Sequence, residues 1–209
     1  MAACVPAGTV ALAGANLEQL RTSPLYGKLP LSSFSGAKSL LAAWNGKEVL
    51  VISAPGPALN GPPEMVESAR GQQKTGISGA LELLKQADEF ADRSAIWIVL
   101  KGDTTLPLAG NAANVNRLMR NMEFAAITAG AGPRVELALT ARGRTDDAAR
   151  HFEETLRAML TLLAAAETKH PKLAGLLRSI PVRRDGQVVR AGVSTDADGA
   201  VHLLELLVP

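Results

Sequence analysis

Cysteine occurs once in the chain, at Cys4. A lone thiol excludes an internal disulfide framework and a cysteine-based zinc site. Aromatic side chains are almost as scarce: one Tyr, two Trp and four Phe, 3% of the sequence. A surface that stacks bases or sugars needs several exposed rings, and this composition does not spare them. An excess of one charge is lacking too. The 22 Lys and Arg stand against 20 Asp and Glu, a formal net charge of +2. That supplies too little phosphate attraction for a nucleic-acid binder. No stretch is long and apolar enough to predict a membrane-spanning helix. Signature motifs are also missing: there is no G-x-S-x-G nucleophile elbow and no G-x-x-x-x-G-K-[ST] phosphate loop.

What is present describes an ordinary globular chain. Its 209 residues are 47% hydrophobic and 20% charged. A chain of that length buries roughly 70% of its unfolded surface and needs neither metal nor disulfide to fold.

The pattern of apolar residues predicts strands and helices in alternation. Residues 9–15 form a short apolar run that reads as a buried strand, and Asn16 caps a helix through Leu17, Leu20 and Leu25. Two apolar runs, 39–44 and 48–53, flank Asn45-Gly46, a strong hairpin signal. Residues 54–61 read as a Pro/Gly-rich loop, 62–66 as a short helix opened by proline, and 71–76 as loose polar chain. An amphipathic helix is expected over 77–90, then a strand apolar on both faces at 95–100. A loop holding Pro107 and Gly110 leads to a helix at 114–119. Residues 124–129 and 134–141 flank a second turn at 130–133; the later strand puts Val135, Leu137, Leu139 and Ala141 on one face. Thr145 opens the longest helix, whose apolar stripe is Phe152, Leu156, Met159, Leu160 and Leu163. A short helix follows Pro171, a third hairpin turns at Asp185-Gly186, and the tail from Asp196 to Val208 reads as helix.

Read as elements, the chain runs strand, helix, hairpin, helix, and then repeats. The first half-unit spans residues 1–93 and the second, with an extra hairpin and C-terminal helix, residues 94–209. The expected fold is α+β: one compact domain with a mostly antiparallel sheet, helices on one face, and a duplicated unit.

Candidate chemistry is sparse, and no catalytic, cofactor or metal residue is predicted. The G-x-G at Gly130-Ala131-Gly132 sits between hairpin strands, where a dinucleotide fingerprint would need a following helix. His151 has no second histidine one turn away, and neither His170 nor His202 is joined to it by spacing. Asp196-Ala197-Asp198-Gly199 lacks the third oxygen ligand and the distal glutamate of a calcium loop, so capping explains its aspartates better. Arg142, Arg144, Arg183, Arg184 and Arg190 could line one edge of the sheet, and Arg117 and Arg120 could join Asn114 and Asn121 in an anion-binding face. Acidic neighbours such as Glu136, Asp146, Asp147 and Asp185 make a solvated charged surface the simpler expectation.

Two resemblances concern the start of the chain. Met1-Ala2-Ala3-Cys4 resembles the end of a bacterial lipoprotein signal, which makes Cys4 a candidate lipidation site. No basic segment or apolar segment precedes it in this sequence, and a small apolar cysteine near a terminus is the alternative. Pro6-Ala7-Gly8-Thr9, Gly14-Ala15-Asn16, Leu20 and Ser23-Pro24-Leu25-Tyr26 together resemble the opening of a group of uncharacterised exported bacterial proteins. Those begin P-A-D-T, then a strand, G-x-N, a helix and S-P-L-Y; Gly8 stands where they have Asp. The resemblance implies an extracytoplasmic location and supplies no activity, ligand or functional residue. The leading expectation is therefore a non-catalytic cell-envelope protein that binds or positions a protein or envelope component. A hydrolase or transferase with a dispersed site and a cytoplasmic interaction module are the alternatives.

Overall fold

The computed structural model describes residues 1–76, 78–106 and 114–207. Among these residues nine strands form one sheet in the order β4-β3-β2-β1-β5-β6-β7-β9-β8, every neighbouring pair antiparallel. The strands are β1 (Ala11–Asn16), β2 (Ser39–Trp44), β3 (Val49–Ala54), β4 (Ala58–Asn60), β5 (Ile96–Lys101), β6 (Met122–Ala129), β7 (Val135–Gly143), β8 (Val182–Asp185) and β9 (Val188–Thr195). Among the described residues the helices are α1 (Leu17–Arg21), α2 (Pro63–Thr75), α3 (Leu81–Ala91), α4 (Asn114–Met119), α5 (Asp146–Ala166), α6 (Pro171–Ser179) and α7 (Ala197–Leu207). None is long and apolar enough to cross a membrane.

Local chemistry accounts for the element ends. Asn45 Oδ1 accepts hydrogen bonds from the Lys47 and Glu48 amides at 3.0 and 2.9 Å, and Gly46 takes φ +98°, so the β2–β3 turn closes without strain. Asn16 Oδ1 accepts from the Gln19 amide at 3.1 Å, Thr145 Oγ1 from Ala148 at 3.1 Å, and Asp196 Oδ1 from Gly199 at 2.7 Å. These caps satisfy N-terminal amides of α1, α5 and α7.

The two sides of the sheet are covered differently in its two halves. Successive strand residues point to opposite faces and antiparallel partners share one. Leu12, Leu41, Ala43, Leu50, Ile52, Trp97, Val99, Phe124 and Ala126 therefore lie on one face, here the front, where they pack with Met65 and Ala69 of α2 and Leu83 and Ala87 of α3. Ala125, Ala141, Val189 and Ala191 lie on the rear, beneath Ala149 and Phe152 of α5. Residues 17–37 and α7 cover the rear around Ala15, Leu40, Ile96 and Ala129.

The α+β class and the antiparallel sheet match the sequence expectation, and each half carries its long helices on one face. The covered faces are opposite, however: α2 and α3 lie in front of β1–β3 and β5, while α5 and α6 lie behind β7–β9. The crossover is physically allowed because β5 and β6 are apolar on both sides. The duplicated unit is not confirmed. The element order does recur, and β1 and β5 are central neighbours, but the long helices after the two hairpins occupy opposite sides.

Other boundaries differ in instructive ways. The first helix stops at Arg21 instead of reaching Tyr26, because Pro24 cannot donate within it. The segment expected to be loose at 71–76 continues α2 as far as Thr75, its polar residues lying on the outer side of a helix that buries Met65 and Ala69. Ala58–Asn60, expected as loop, adds edge strand β4, and the helix expected from Ile77 begins at Leu81. The loop expected at Pro107 and Gly110 lies outside the described residues.

One ion-pair cluster ties α5 to edge strand β8. Glu153 accepts from Arg157 at 2.9 Å and from Arg184 at 3.3 Å, and Arg157 also donates to the Val182 carbonyl. The Arg157 hydrogen bond, with Arg184 beside it, holds the Glu153 carboxyl below its ordinary value of 4.5. A depressed carboxyl stabilises the fold above its unfolded value and loses that contribution as pH falls through the lower folded value. Glu153→Gln is thus expected to lower the melting temperature at pH 7, with the gap to wild type closing as pH drops below about 4.5. Melting curves at several pH values check this; a gap that stays constant into strong acid contradicts it.

Candidate functional site

Behind the second half of the sheet, α5 does not pack flat against the strands. A cavity of about 150 Å³ lies between them. Its floor is the rear of β6, β7 and β9, with Ile127, Leu137, Leu139, Ala191 and Val193; its roof is Leu156, Leu160 and Leu163 of α5. Leu177, Ile180 and Leu203, from α6, the residue after it and α7, close the sides.

The sequence explains why a space opens there. At the start of α5, Ala149 and Phe152 are buried against Ala125, Ala141 and Val189, and near its end Ala164 packs with Leu173, Leu177 and Leu203. Between these anchors the helix bridges β9 where the strand turns only Ala191 toward it, between Val189 and Val193. Alanine supplies little volume to the rear of the sheet, so the leucines above it are left incompletely packed. Leu156, Leu160 and Leu163 accordingly remain half-buried.

Every lining residue is Ile, Leu, Val, Ala or Gly. No lining side chain carries a proton-transferring, nucleophilic or metal-ligating group, so the space can hold an apolar group and offers no chemistry to transform it. An aliphatic space of this size admits a molecule about as large as benzene.

The residues singled out in the sequence lie elsewhere. Cys4 is 2% exposed and belongs to the same buried front cluster as Val5, Met65 and Ala69. A lipid on its sulfur requires the 3-10 turn Ala2–Cys4 to leave that core. His151 is exposed on α5. His170 and His202, which spacing did not join, come together across a cleft between α6 and α7, their rings 6.2 Å apart. His202 Nδ1 lies 2.8 Å from the Asp198 carbonyl oxygen and donates to it. Asp198 also pairs with Lys28 at 2.6 Å; that hydrogen bond and charge hold the Asp198 carboxyl below, and the Lys28 ammonium above, their ordinary values. Asp196 is occupied as the α7 cap. Among the described residues no three His, Cys, Asp or Glu side chains come together as metal ligands.

The five sheet-edge arginines divide. Arg144 pairs with Asp103 at 2.5 Å and Arg184 with Glu153, whereas Arg142, Arg183 and Arg190 share the front face of β7, β8 and β9. Arg117 ends in the last turn of α4, and Arg120 and Asn121 lie beyond it. The cavity itself was not foreseen: Leu156, Leu160 and Leu163 read as ordinary core. The one available signal was the small Ala191 between Val189 and Val193 on that face of β9. Compared with protein-family models, curated proteins and solved structures, the chain has no match.

Proposed function

We propose that the chain is a non-catalytic binding protein of the cell envelope, and that the cavity beneath α5 receives an apolar ligand or the apolar end of one. The aliphatic lining carries this reading. An apolar occupant of matching shape covers leucine side chains that α5 leaves half-buried. The opening motif supports the envelope location; mass spectrometry of the mature N-terminus tests it, and an unmodified Met1 on soluble protein contradicts it.

Binding is tested by melting the protein with and without benzene. A ligand that binds only the folded state raises the melting temperature with its concentration. The wild-type protein is expected to show that rise, and Leu160→Trp, which fills the space from the α5 side, is expected to lose it. No rise in wild type, or an equal rise in the filled variant, overturns the reading.

A further inference from the structure

We propose a second, independent ligand site on the opposite side of the sheet: a cleft that binds a soluble phosphate monoester. The front of β6, β7 and β9 is not covered by helix beyond the end of α3. There Phe90 and Arg93 overlook strand residues Thr128, Thr140, Arg142 and Arg190 across a cleft of about 530 Å³.

The arginines in this cleft differ from the others nearby. Arg144, Arg150, Arg157 and Arg184 are each paired with a carboxylate. Among the described residues, Arg93, Arg142, Arg183 and Arg190 have no carboxylate within 4.0 Å. Arg183 and Arg190 are moreover direct cross-strand partners, an arrangement that destabilises a sheet unless an anion compensates it. Arg142 is already ordered. Its guanidinium carbon sits 5.4 Å from the Phe124 ring centroid, over its face. The ring holds the cation in place, and no carboxylate within 4.0 Å occupies its N–H groups among the described residues.

Charge defines the ligand. The cleft holds three arginines against one carboxylate, Glu89; on the next strand Arg183 and Asp185 cancel. The local excess is two positive charges, which a dianion neutralises and a monoanion does not. Thr140 is the direct partner of Arg190 and Thr128 lies one strand over on the same face, so two hydroxyls are available beside the guanidinium groups. A phosphate monoester presents two charges and three acceptor oxygens to that set, and Phe90 at the wall gives its organic part an apolar contact.

The test is calorimetric titration of the whole chain with phenyl phosphate, phenyl sulfate and inorganic phosphate at physiological ionic strength, where diffuse attraction is screened. Phenyl phosphate is expected to saturate. Arg190→Gln and Arg142→Gln are each expected to weaken it roughly 10- to 100-fold, the effect of one charge-assisted hydrogen bond, while Arg150→Gln on α5 leaves it unchanged. Phenyl sulfate, a monoanion, binds more weakly, and Leu160→Trp has no effect because its cavity lies behind the sheet. Absence of saturable binding, equal affinity for the sulfate, or full affinity in Arg190→Gln overturns the site. Binding to phosphatidic acid vesicles without binding to phenyl phosphate overturns the soluble ligand. Thr140→Val, which removes a hydroxyl without changing charge, is expected to weaken binding at an unchanged melting temperature; unchanged affinity there counts against the cleft as drawn.

Discussion

Phe124→Ala is expected to destabilise the protein by about 3–5 kcal/mol, the range for deleting a fully buried aromatic ring. Phe124 is 2% exposed on the front of β6, in the one large cluster that joins β1, β2, β3 and β5 to α2 and α3. Its ring meets Phe90 of α3 edge to face, with centroids 6.5 Å apart and planes at 61°, a geometry that contributes beyond the buried area. The ring also carries the Arg142 guanidinium. Truncation therefore opens a cavity, removes an aromatic pair and frees a cation at once. Urea unfolding curves measure the loss, and Phe124→Leu, which keeps most of the volume, is expected to lose much less. A loss below about 1.5 kcal/mol for the alanine variant, the scale of a volume-conserving swap, contradicts the packing described for this ring.

The second large effect is at Gly14. In the β1–β5 ladder Gly14 is the direct partner of Trp97, and the indole lies over the glycine backbone. A Cβ placed there meets Trp97 Cε2 at 2.2 Å, Cζ2 at 2.3 Å and Nε1 at 2.5 Å. Real carbons do not approach so closely, and Trp97, 9% exposed in the front core, cannot swing aside without emptying its own site. Gly14→Ala is expected to cost about 1–3 kcal/mol as an overpacked core substitution, although alanine suits a strand at least as well as glycine does. Trp97→Phe relieves the clash, so the double variant is expected to be more stable than the sum of the two single losses, with a coupling of about 0.5–3 kcal/mol. Strict additivity contradicts direct contact between the two residues.

Much of the sheet was legible because the strands announce themselves locally. Asn45-Gly46 and Asp185-Gly186 fixed two hairpins, and the alternation of Val135, Leu137, Leu139 and Ala141 marked the inward face of β7. Asn16, Thr145 and Asp196 act as the caps that their side-chain chemistry suggests. Periodicity is a property of one element, and what it cannot carry is the relation between elements. The alternation in β7 shows that one face is apolar without showing that this face lies behind the sheet when Leu12 and Leu41 lie in front. That phase is set by pairing through β5 and β6, whose two apolar sides give no preference. Residues 71–75 looked loose because Gly71 and a polar run outweigh Met65 and Ala69, the two buried positions that hold α2 down.

The candidate sites were hidden for the same reason. The apolar cavity is a mismatch of volumes between α5 and β9, elements more than twenty positions apart, and each reads as well-formed core alone. His170 and His202 meet only because α6 and α7 fold back beside one another. Of the five arginines grouped along the sheet edge, Arg142, Arg183 and Arg190 share its front face, whereas Arg144 and Arg184 pair with acids. Strand register sets Arg183 and Arg184 on opposite faces, and the contact of Arg144 with Asp103, 41 positions earlier, is invisible to local pattern.

The most direct measurement is a methyl-resolved NMR titration of the intact protein with benzene. Binding in the space beneath α5 predicts saturable shifts confined to methyl groups of its lining, above all Leu137, Leu139, Leu156, Leu160 and Leu177, with the front-face methyls of Leu12, Leu41 and Ile52 unmoved. Unshifted lining methyls at saturating benzene, or shifts centred on the front of the sheet, would contradict it.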